Sequence, residues 1–94
     1  MKKSDIKAIV IEQLEKVMTA LGATAPPYTD DMRPIGALPN FCSILAEDTT
    51  VDIFIRLGLP PDADVNPFFI KTKRACTLSE IVETLHGLML KAKA

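Results

Sequence analysis

Cys42 and Ser43 stand side by side in the stretch PNFCSILAEDTTVDIFIRLG, residues Pro39 to Gly58. Either side chain could do chemistry if a helix begins there. A helix N-terminus offers unpaired amides and the positive end of the dipole, which favour an anion and depress a thiol pKa. Cys42 with His86 would form a nucleophile and its base, but His86 is the single histidine and no acid is placed to orient it. A thiol enzyme is therefore not expected. One histidine and two cysteines 34 positions apart also lack metal-ligand spacing. Cys76 reads as a small buried filler and His86 as a partly exposed helix residue. Lys71, Lys73 and Arg74 read as solvated loop charges.

What Ser43 can do depends on the element that carries it. Thr49–Leu57 is rich in β-branched residues and nearly alternates, which favours a strand. No second strand candidate of quality exists, however, and a lone strand leaves its backbone groups unpaired. On a helical wheel Asp48, Thr49, Asp52 and Arg56 share one narrow side. Ala46, Ile53 and Leu57 lie opposite, and Ile44, Val51 and Ile55 form another apolar group. Asp52 and Arg56 are spaced as a helix-supporting ion pair. The expectation is a helix starting at Ser43, with Asn40 as a possible cap, buried on more than one side.

The flanking elements are easier to read. Ile6, Ile9, Val10, Leu14, Val17, Met18 and Leu21 recur at helical spacing, so Asp5–Leu21 is expected as an amphipathic helix, capped by Ser4 and stopped by Gly22. ATAPPYTDDMRPIGALPN follows with four prolines and no apolar period. It is expected to be a long ordered loop pinned by Met32, Ile35 and Leu38, and loops of this length are often functional. Asn66-Pro67 suggests a short helix carrying Phe68, Phe69 and Ile70. Thr77-Leu78-Ser79-Glu80 is a capping box, opening a helix whose face is Leu78, Ile81, Val82, Leu85, Leu88 and Met89 and which ends near Leu90.

Length and composition fit this reading. Ninety-four residues, 48% hydrophobic and 24% charged, suit one globular domain with a single modest core. The apolar run AIVI is too short for a signal peptide or a membrane span, and the sparse cysteines favour a reduced, cytoplasmic setting. The net charge of −1 hides an asymmetry. Residues 30–64 carry seven acids against Arg33 and Arg56, while both flanks are positive. An acidic middle is a poor nucleic-acid footprint and suits a basic protein partner.

The ordered spacings resemble the acyl carrier proteins, the four-helix domains that carry 4'-phosphopantetheine. That family holds its arm on the serine of an Asp-Ser-Leu motif opening the second helix. This chain has Asn40-Phe41-Cys42-Ser43-Ile44 there, Leu57-Gly58-Leu59 fifteen residues on, then PPDADVNPF and TLSEIVETL. Essentially the whole chain, residues 1–94, is covered as a single domain. The resemblance implies an all-α bundle of three main helices plus a short third one, with a long loop between the first and second. It implies a monomeric, non-enzymatic carrier in lipid or secondary-metabolite biosynthesis, holding acyl groups as thioesters on an arm attached to Ser43. Its partners would be a phosphopantetheinyl transferase and an acyl-loading ligase, synthase or acyltransferase, recognised through Glu47, Asp48, Val51, Asp52 and Ile55.

Three positions depart from the family pattern. Cys42 replaces the Asp, removing a charge and a capping oxygen. Glu47 stands where an apolar residue is usual, and Phe54 and Ile55 stand where acids are frequent. Together they imply a specialised, free-standing carrier whose partner surface is more apolar than usual, and the Cys42 replacement gives a second reading: a carrier-like helical module that binds a partner protein without an arm.

Overall fold

A computed structural model describes residues 2–59, 66–70 and 74–93. It contains α1 (Lys3–Leu21), a four-residue turn α2 (Pro34–Ala37), α3 (Ser43–Leu57), the two-residue strands β1 (Phe69–Ile70) and β2 (Arg74–Ala75), and α4 (Leu78–Lys93). The fold is a small all-α bundle in which α1 packs against both α3 and α4.

The α1 stripe does what its spacing requires as far as Met18: Ile6, Val10, Leu14 and Met18 are buried, with Ile9 and Val17 half-buried against the same core, whereas Leu21, in the last turn, is exposed. Ser4 does not cap. It lies inside the helix, which begins one residue earlier, and the Asp5 carboxylate instead accepts the Lys2 amide at 3.1 Å. An acid three residues in can turn back on the cap amide, and this moved the start upstream. Gly22 ends the helix at φ 67°, its N–H donating to the Thr19 carbonyl at 3.1 Å.

The loop is pinned as expected: Leu38 is buried, and Met32 and Ile35 are half-buried on the core. It also serves α4. The Met32 carbonyl accepts from the Leu78 amide at 2.8 Å and the Asp30 carbonyl from the Ser79 amide at 3.1 Å. At the head of α4 the capping box is present in both directions, with the Glu80 amide donating to Thr77 Oγ1 at 3.2 Å and the Thr77 amide to Glu80 Oε1 at 2.9 Å. Leu78, Ile81, Val82 and Leu85 are buried below it, and the helix runs three residues past Leu90. Burial pushes the Cys76 thiol pKa up, as befits a side chain that fills the core.

The short helix expected after Asn66 is not formed. Asn66 Oδ1 accepts the Phe68 amide at 3.0 Å and its carbonyl accepts the Phe69 amide at 3.2 Å, which closes one turn. Phe69 then pairs with Ala75, and Ile70 with Arg74, in an antiparallel ladder. An Asx turn imitates a helix start, but aromatic and β-branched residues after it found a strand partner instead. Among the described residues the one short helical turn lies before α3, at Pro34–Ala37, where Gly36 adopts φ 110°. Residues 60–65 of the PPDADVNPF stretch, and Lys71 and Lys73, lie outside the described residues.

Candidate functional site

The site is built on α3, whose helical state settles the conflict within Pro39–Gly58. Ala46, Ile53, Phe54 and Leu57 are buried against α1 and the rest of the core. Gly58 closes the helix at φ 75°: its amide donates to the Ile55 carbonyl at 3.1 Å, and the Leu59 amide to Phe54 at 2.9 Å. Tertiary burial thus overrides the β-propensity of the segment. The two threonines that strengthened the strand signal are nearly inaccessible. Thr49 Oγ1 donates to the Leu45 carbonyl and Thr50 Oγ1 to the Ala46 carbonyl, each at 2.7 Å. Both hydroxyls are therefore satisfied within the helix itself. Thr49 does not share the solvated side that the wheel gave it.

Ser43 occupies the first position of α3 and is exposed. What places it is Phe41, a buried ring that meets Phe68 edge-on, centroids 5.5 Å apart at 61°. Asn40 before it takes a left-handed φ of 59°, so the chain turns sharply between the loop and the anchor. Asn40 is thus a turn residue and not the cap. That position belongs to Cys42, whose extended backbone accepts the Ala46 amide at 2.9 Å and whose side chain makes no capping bond. A thiol is a weak acceptor, so nothing from this side chain competes for the first-turn amides. Cys42, Ser43 and Ile44 lead outward together from a fixed point.

No protein-family model, curated protein or solved structure matches this chain.

Ile44 (70% accessible), Val51 (43%) and Ile55 (62%) are exposed, so α3 is not buried on more than one side. The apolar group that the wheel isolated faces solvent, because α1 and the core take only the side carrying Ala46 and Ile53. Glu47, Asp48 and Asp52 are exposed on the same helix. All five residues expected to meet a partner are therefore accessible along one element that starts at Ser43. Ile44 is exposed on the same helix as well, though it is not among the five. Its signal was present, since it falls seven residues before Val51 and eleven before Ile55, but apolarity argued for burial.

His86 is half-buried on α4, and no hydrogen bond joins it to Cys42. Among the described residues no group of three His, Cys, Asp or Glu side chains is placed to hold a metal ion. No described helix is long and apolar enough to cross a membrane.

Proposed function

We propose that this protein is a carrier that holds acyl groups as thioesters on a 4'-phosphopantetheine arm attached to Ser43. The observation that carries the reading is the exposed hydroxyl at the first position of a fifteen-residue helix, held out by the buried Phe41. The residues fit the group. A phosphodiester on Ser43 Oγ would lie against first-turn amides that no side chain caps, at the positive end of α3. In the attachment step Ser43 Oγ forms a bond to the β-phosphorus of coenzyme A. The pyrophosphate P–O bond breaks, 3',5'-adenosine bisphosphate departs, and the serine proton passes to a base on the transferase. The arm supplies a terminal thiol, and the chain supplies no catalysis of its own. Glu47, Asp48 and Asp52 would draw a basic partner to α3, while Ile44, Val51 and Ile55 would supply apolar contact.

A second reading is favoured by one observation, the uncapped Cys42 at the position where the family has Asp. In it the same face of α3 binds a partner and no arm is attached. The test is intact mass after incubation with coenzyme A and a broad-specificity phosphopantetheinyl transferase. The carrier reading expects the mass of one arm on the parent protein and none on Ser43→Ala. A parent protein that never gains the arm, while remaining folded and binding the transferase, would establish the second reading.

A further inference from the structure

We draw no further inference here: the strongest candidate, the cleft of about 220 Å³ between the first turns of α1 and α4, carries nothing because its Lys3 and Lys7 are already paired with Glu83 and Asp30, leaving a helix N-terminus into which no unpartnered buried polar group of the described residues is aimed.

Discussion

Arg56 of α3 reaches across to Glu12 of α1, its Nη2 lying 3.5 Å from Oε1, and does not pair with Asp52 one turn before it. Lys16 approaches the same Glu12 oxygen at 3.7 Å. The only base on α3 is therefore committed to the bundle interior's edge. Asp48 and Asp52, without an ion-pair partner among the described residues, set the charge of the outward face.

Reversing those two acids should accordingly weaken binding to a phosphopantetheinyl transferase and leave thermal stability nearly unchanged. Asp48→Lys with Asp52→Lys is the variant, and titration at two salt concentrations is the measurement. The loss should shrink in high salt, since exposed charges are screened over about 10 Å at 0.1 M. Glu12→Lys should do the reverse, lowering stability by roughly 0.2–1 kcal/mol through the lost pairs and leaving binding intact. Equal effects of both variants on binding would mean that the acidity of α3 serves solubility alone.

Cys42→Asp should speed arm attachment and stabilise α3. A carboxylate at the cap can accept first-turn amides and oppose the positive helix end, together worth about 1 kcal/mol. A time course of intact mass and a melting curve read the two effects separately. Equal attachment rates would make Cys42 a neutral replacement, while attachment only after the substitution would favour the armless reading for the parent.

Ile53 and Ile55 lie two residues apart on opposite sides of α3, one buried and the other 62% accessible. Ile53→Ala should cost about 2–5 kcal/mol of folding stability by opening a cavity in the core. Ile55→Gln should leave the denaturation midpoint within about 0.5 kcal/mol of the parent and weaken the transferase complex. An Ile55 variant that melts early would show that its face is covered by the protein itself.

Acid should find the head of α4 first. The Thr77 amide holds the Glu80 carboxyl below its ordinary value, with Arg74 and Arg33 acting the same way, and the Lys3 hydrogen bond does likewise for Glu83. Each carboxylate is therefore protonated more readily in the unfolded chain. The stability they contribute is present above the ordinary value of 4.5 and is lost as pH falls through the lower folded values. Glu80→Gln should flatten the decline of melting temperature with acid, and an unchanged slope would count against this assignment. Thr77→Ala should cost about 1 kcal/mol at neutral pH through loss of the hydroxyl cap.

Sequence patterning served α1 and α4 well because their apolar stripes are regular and their ends carry strong signals, Gly22 and the Thr77–Glu80 box. The helical state of α3 was legible through the missing strand partner and the segregation of its residues on a helical wheel, against its local propensity. Its exposed face was not, because Ile44, Val51 and Ile55 have the same chemistry as core residues and differ only in what the fold sets beside them. The Asn66 turn misled for a related reason: an Asx turn and a helix start share their first hydrogen bonds, and only the later pairing of Phe69 with Ala75 separates them. Buried polar groups were equally illegible. Gln13 lies in the core with its Nε2 unpartnered among the described residues, and burial followed by the neighbouring Glu15 lifts the Tyr28 phenol to about 12.

The carbonyls of Asp30 and Met32 that receive the Ser79 and Leu78 amides make the loop before Ser43 and the first turn of α4 a single cooperative unit. Those two amides exchange their hydrogens with solvent when these bonds open, and lifting of the loop opens both. Their exchange rates are therefore a built-in gauge of how often the approach to α3 is released, read from a helix almost fifty residues further along the chain in the case of Ser79. A partner that clamps the loop would slow them without touching α4.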